Sequence, residues 1–160
     1  MNRNIVVTLE CFIQKDGKYL MLHRDPGKRI MPGVWMAPGG KREFNEGLFA
    51  CARREAHEET GLRIKNLRIK ATGNAYLRDL DQEFYFHFVF ADYAGGRLTK
   101  NCPEGKLAWL SPVEILQLDS VLAEIKILGD RLFSDSDEVL SYSAVYISGN
   151  IIESFFLENS

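Results

Sequence analysis

The chain has 160 residues, 46% of them hydrophobic and 26% charged, a balance that excludes both disorder and fibrous repeats and predicts one globular domain over residues 1–160. Twenty basic against 22 acidic side chains leave a net charge of −2. This excludes a chain built to coat nucleic acid, so an anionic small molecule must be met by local positive charge.

Three cysteines, Cys11, Cys51 and Cys102, have no CxxC pairing and suggest reduced thiols rather than a disulfide framework or a zinc site. The apolar run from Ile5 to Ile13 carries Thr8 and Glu10. It is too short for a membrane span and lacks a cleavage-site pattern, so the expected location is cytoplasmic, with no membrane partner.

In chain order, apolar runs at Ile5–Gln14 and Lys18–His23 flank Lys15-Asp16-Gly17, where Asp-Gly predicts a tight hairpin. The Gly- and Pro-bearing stretch from Pro26 to Gly40 predicts an irregular loop. Leu48, Ala52, Ala56 and Leu62 then recur at helical spacing, predicting a helix over 46–60 with Asn45 as N-cap and Gly61 as its stop. Strand-like runs follow at 68–76, 83–93 and 106–110, with Ala94-Gly95-Gly96 as a turn. Leu118, Val121, Leu122, Ile125, Leu128 and Leu132 form one apolar stripe after Ser111-Pro112 and predict a single second helix. Runs at 143–148 and 151–157 around Gly149-Asn150 predict a closing hairpin. Together these elements make an α/β (α+β) fold with a mixed sheet covered by two helices.

Chemistry is concentrated in GGKREFNEGLFACARREAHEETGL, residues 39–62. On a helix, Glu58 and Glu59 lie about 60° and about 40° from Glu55, so the three carboxylates share a face. Like charges at that spacing destabilise a helix, and Glu58 and Glu59 also sit near its negative end. A hard divalent cation that binds carboxylate oxygens and shares substrate phosphates would compensate them. Charged runs of this kind also occur as solvated faces laced with ion pairs. That reading leaves the preceding glycine pair and Glu46 unaccounted for.

The segment resembles the Nudix hydrolase signature G-x5-E-x7-R-E-U-x-E-E-x-G-U, where U is a bulky aliphatic residue. Gly40, Glu46, Arg54, Glu55, Ala56, Glu58, Glu59, Gly61 and Leu62 occupy its fixed positions, and Ala56 alone is smaller than usual. The resemblance implies an αβα sandwich, the Nudix fold. It also implies an enzyme that hydrolyses a nucleoside diphosphate linked to another group, with Mg²⁺ or Mn²⁺ as cofactor. Position by position it implies Gly39, Glu55, Glu58 and Glu59 as metal ligands, Gly39 through its carbonyl. Glu55 is also the first candidate general base, provided it touches the metal through water, since a directly ligated carboxylate is a poor proton acceptor. Arg54 and Glu46 are expected to form a structural ion pair. Glu104 stands where MutT-like members carry a further acidic metal ligand or base. The expected catalytic set is therefore Glu55, Glu58 and Glu104.

Arg24, at the end of the first hairpin, and Lys41 are candidates for phosphate contact, with Arg29 a comparable cation. Tyr76 is a candidate to stack a base, although alternating aromatics in a strand also serve as core. His57 and His87 are expected to be non-functional, the first facing solvent or packing away from the carboxylates and the second a sheet residue.

The resemblance extends furthest to MutT/MutX-type nucleoside triphosphate pyrophosphohydrolases, including those acting on 8-oxo-dGTP. It takes in Lys18–Arg24, Glu104–Trp109 and the terminal hairpin. Met36 stands where some oxidised-guanine enzymes carry asparagine after the loop tryptophan. The proline marker of the ADP-ribose type falls on Leu77, and the tyrosine marker of the dinucleoside-polyphosphate type falls on Arg78–Leu80. The expected reaction is cleavage of a nucleoside triphosphate to monophosphate and pyrophosphate, by a monomer or homodimer. Hydrolysis of ADP-ribose, a nucleotide sugar or a dinucleoside polyphosphate is the alternative within the family. A non-catalytic nucleotide-sensing module is the alternative outside enzymology.

Overall fold

The computed structural model describes residues 3–159. Strands β1 (Ile5–Lys15) and β2 (Lys18–Arg24) pair antiparallel across Asp16 and Gly17. Both turn residues have positive φ, 52° and 76°, as the tight turn matching strand twist demands. The loop that follows is less irregular than the sequence suggests. Within it, β3 (Trp35–Met36) adds to β2, and β4 (Gly39–Lys41) adds to β1.

Helix α1 spans Leu48–Thr60 and begins two residues later than expected. Asn45 sits in a turn with φ 58° rather than capping the helix, and the N-cap is Gly47, which has no side-chain bond to offer. Glu46 lies outside the helix because its carboxylate is engaged by the Glu43 amide and Arg54. Gly61 ends the helix in the left-handed conformation, φ 79°, its N–H returning to the His57 carbonyl.

Strands β5 (Leu62–Leu77) and β6 (Gln82–Gly96) are longer than the sequence suggests and pair antiparallel. Ala94-Gly95-Gly96 is therefore strand, not turn, because Gly96 still pairs with Leu62. After β7 (Gly105–Leu110), the expected single helix is two, α2 (Pro112–Gln117) and α3 (Ala123–Leu132). Ser111 caps α2 in a reciprocal capping box with Glu114. Between the helices, Val121 bridges to Trp35, and Trp35 exchanges backbone hydrogen bonds with Ser120 and Leu122. That tertiary pairing pulls 118–122 out of helix despite its apolar periodicity. The chain closes with β8 (Leu140–Ser148) and β9 (Ile151–Leu157), the expected hairpin.

The sheet order is β3-β2-β1-β6-β5-β8-β9, with β4 on β1 and β7 on β2. The β1–β6 and β5–β8 pairs are parallel and the others antiparallel, so the sheet is mixed. Its two faces carry separate cores. On one, Cys51, Ala52 and Ala56 of α1 pack against Leu9, Cys11, Ile13 and Val89. On the other, Ile115, Ile125, Leu128 and Leu132 cover Phe12, Phe88 and Phe90. The αβα layering expected from the sequence follows. Among the described residues, no helix is long and apolar enough to cross a membrane.

Candidate active site

The layering leaves a cleft where α1, the glycine loop and β1 meet, with a cavity of about 470 Å³. Gly39, Lys41, Glu55, Glu59, Arg24 and Glu104 all line it. Four segments distant in sequence thus bring six of the eight expected site residues together.

Two expected residues lie elsewhere. Glu58 is on the same side of α1 as Glu55 and Glu59, but its side chain is 57% exposed and hydrogen bonds to Arg54 at 3.2 Å outside the cavity lining. Tyr76 is absent from the lining as well. Its hydroxyl donates to Asp81 at 2.7 Å, and the Arg3 guanidinium lies over its ring. His57 is exposed, as expected, and His87 contacts the Thr8 carbonyl within the sheet.

Each acidic group has its own surroundings. The Arg54 guanidinium takes Glu46 with two hydrogen bonds, Nε to Oε1 at 2.7 Å and Nη2 to Oε2 at 2.9 Å, and also reaches Glu55 at 2.9 Å. This is the structural ion pair foreseen from the sequence. It pulls the Glu46 carboxyl down to about 2, while burial raises that of Glu55 above its ordinary value against the pull of Arg54. Burial first, and then the negative charge of Glu55, push Glu59 up to about 8, although it accepts the Gly39 N–H at 3.0 Å. Glu104 accepts from Arg24 at 3.3 Å and from Lys28 at 3.2 Å. The Gly40 carbonyl is taken by the Thr8 hydroxyl at 2.9 Å.

Among the described residues, no three acidic, histidine or cysteine side chains are already gathered as a metal cluster. The donors nevertheless suit a hard divalent ion. Glu55, Glu59 and Glu104 are among the carboxylates lining one cavity, and Glu59 has Glu55 and Glu104 as negative neighbours, with Arg24 the weaker opposing influence. Gly40 also leaves room that a Cβ would deny, since that atom would sit 2.4 Å from the Glu55 carboxylate.

Sequence reasoning missed Glu10 and Thr8, both on the cavity wall. Glu10 is 3% exposed and accepts the Ala37 N–H on Oε1 at 2.9 Å, while Oε2 has no partner. Burial pushes its carboxyl up to about 8. A lone acid inside an apolar strand was the available signal. Lys28, on Glu104, was likewise not singled out.

With this geometry in place, comparison with known proteins is decisive. The NUDIX domain family model matches residues 3–130 of the chain. The chain belongs to the Nudix hydrolase family. Among curated relatives, it is 36% identical over 103 residues to the uncharacterized Nudix hydrolase YvcI of Bacillus subtilis. That match covers 62% of this chain and 61% of YvcI, so it spans about three-fifths of the relative. It is 28% identical over 135 residues to the nucleoside triphosphatase NudI of Escherichia fergusonii, covering 76% of this chain and 93% of that protein. The crystal structure of a mutator MutT protein from Bacillus halodurans superimposes with a TM-score of 0.81 at 28% identity, covering 96% of this chain and 97% of the other. A MutT protein from Methanosarcina mazei, at 22% identity and a TM-score of 0.70, shares the fold. This Nudix chain therefore has the fold that its signature implied, shared with MutT proteins.

Proposed function

We propose that this Nudix hydrolase cleaves a nucleoside triphosphate to the monophosphate and pyrophosphate with Mg²⁺ or Mn²⁺. The observation that carries the reading is the mixed lining of the cavity. Glu55, Glu59 and Glu104 line it together with the cations Arg24 and Lys41, and Leu77, Phe84 and Phe86 supply an apolar wall. A volume of about 470 Å³ lies within the range of small-molecule sites. The nucleoside triphosphatase name carried by the NudI relative points the same way.

Glu55, Glu58, Glu59, Glu104 and the Gly39 carbonyl are the groups that would hold the ion, Glu58 after leaving Arg54. When bound, the ion lowers the pKa of coordinated water and offsets pyrophosphate charge. Arg24 and Lys41 would neutralise phosphate oxygens and orient the chain of phosphates for attack. Arg54 holds Glu46 and Glu55 at once and so fixes the glycine loop against α1. Glu55, oriented by Arg54, would accept the water proton if it touches the ion through water rather than directly. Product analysis in ¹⁸O-water across a panel that includes 8-oxo-dGTP, with and without Mg²⁺, tests this directly. Monophosphate and pyrophosphate, formed only with metal and lost in Glu58→Gln and Glu59→Gln, are expected. Metal-independent turnover, or full activity in both variants, would overturn the assignment.

A further inference from the structure

The cavity contains a polar group that the phosphate chemistry does not use. Glu10 is among the least exposed acidic side chains of the fold, and it lies on the cavity wall in the middle of β1. Its neighbours fix its orientation. In register it stands between Gly39 of β4 and Phe88 of β6. One oxygen is committed to the Ala37 amide, which leaves the other, Oε2, as an unpartnered buried atom. Burying a polar atom without a partner costs about 1–3 kcal/mol, and proteins retain such a cost where a ligand completes the set.

The surroundings say which part of a nucleotide would complete it. Met36 and Leu122 also line the cavity, and Phe84 and Phe86 extend the apolar wall along β6. Glu124, close enough to Glu10 to act on it electrostatically, is also buried and sits beside the Tyr146 hydroxyl. A phosphate has Arg24 and Lys41 to go to, which leaves Glu10 and the apolar wall to another part of the substrate. Apolar side chains beside a buried hydrogen-bonding group suit the flat face and polar edge of a heteroaromatic ring.

We infer that Glu10 is the specificity-determining residue of this cavity, reading the hydrogen-bonding edge of the substrate's base through Oε2. The inference rests on the nucleotide reading above and adds the residue that discriminates amino from oxo groups at one ring position. A site built around a single buried polar atom rejects the mismatched partner strongly, since the mismatch leaves that atom unpaired.

The test compares matched nucleotides that differ only by an amino or oxo group, namely ATP with ITP, CTP with UTP and GTP with XTP. Wild-type, Glu10→Met and Glu10→Gln proteins are measured for kcat/KM. Dissociation constants of the corresponding monophosphates are measured wherever a variant does not turn over. Wild type is expected to separate at least one pair by about tenfold or more, and that ratio is expected to collapse in Glu10→Met. Glu10→Gln supplies a second, nearly isosteric variant, whose amide is held by the Ala37 N–H so that its NH₂ group takes the place of Oε2. Equal treatment of every pair by the wild type, or ratios within about twofold of wild type in both variants, would overturn the inference while leaving nucleotide cleavage standing. Failure of the wild type to bind or cleave any of the six or 8-oxo-dGTP would overturn the nucleotide reading, and this inference with it.

Discussion

Arg54 and Glu46 are joined by two parallel hydrogen bonds, 2.7 and 2.9 Å long, and the same guanidinium also holds Glu55 at 2.9 Å. Its Nη2 further donates to the Lys41 carbonyl at 3.1 Å. One side chain therefore ties the glycine loop, the approach to α1 and a carboxylate of the cavity into a single unit. Lysine keeps the charge but loses the fork, so Arg54→Lys is expected to lower kcat by about 10- to 100-fold, as the loss of an orienting partner does. Steady-state kinetics on the best nucleotide checks this. Glu46 adds a pH signature. Its carboxyl is held at about 2 against an ordinary 4.5, so its contribution to stability is present above 4.5 and lost as pH falls toward 2. The melting-temperature gap between wild type and Arg54→Ala should be open at pH 7 and narrow across that acid range.

Glu59 gives the metal prediction. Its carboxylate is largely buried, with Glu55 and Glu104 as like-charged neighbours and the Gly39 amide as its hydrogen-bond donor. Above about pH 8, where Glu59 is ionised, neutralising it removes a repulsion that the metal-free protein carries. Glu59→Gln is expected to melt at or above the wild-type temperature without metal, and to lose the rise in melting temperature that saturating Mg²⁺ produces in the wild type. Thermal melts with and without Mg²⁺ and EDTA read both effects. A Mg²⁺-induced rise of wild-type size in the variant would remove Glu59 from the ligand set.

Glu124 governs stability rather than chemistry. It is fully buried on α3, accepts the Tyr142 hydroxyl, and lies near Tyr146 and Glu10. Burial raises its carboxyl to about 7 against 4.5. The folded state thus holds the proton more tightly than the unfolded chain, so this contribution is full below 4.5 and is lost as pH rises through about 7. Melting temperature should fall between pH 5 and 8, and Glu124→Gln should flatten the fall. Glu10, raised to about 8, adds a slope of the same sign that persists in the variant.

The legible parts of this fold are those set by local chemistry. Asp16-Gly17 and Gly149-Asn150 specify turns through backbone conformations open to few residues, Gly61 stops α1 for the same reason, and both hairpins and the helix end follow. The site was legible where a spacing constrains several residues at once, as from Gly40 to Leu62. What escaped depends on partners far away in sequence. Residues 118–122 have a helical stripe, yet Trp35 pairs with them, and 94–96 look like a turn, yet Leu62 extends the sheet to meet them. Tyr76, near the end of β5, goes with its hydroxyl to Asp81 just before β6, a partner that no periodicity in β5 specifies. Glu10 reads in sequence as an interruption of an apolar strand, and only the cavity behind it gives it a role.

The paired glycines have opposite sensitivities, which separates folding from chemistry at adjacent positions. A Cβ on Gly39 would lie 2.0 Å from the Leu9 carbonyl oxygen, a backbone atom of β1 that cannot move without breaking the β1–β4 pairing. A Cβ on Gly40 would lie 2.4 Å from Glu55 Oε1, the far end of a side chain that can swing away. Gly39→Ala is therefore expected to cost stability on the scale of an overpacked core, about 1–3 kcal/mol, seen as a lower midpoint in urea. Gly40→Ala should retain most of the wild-type midpoint and, if Glu55 is the base proposed above, lose turnover, because a displaced Glu55 leaves Arg54 and the site. Urea titration and product formation measured on the same two preparations give the answer. A Gly40→Ala protein with wild-type kcat would mean that the position of Glu55 does not matter to the reaction.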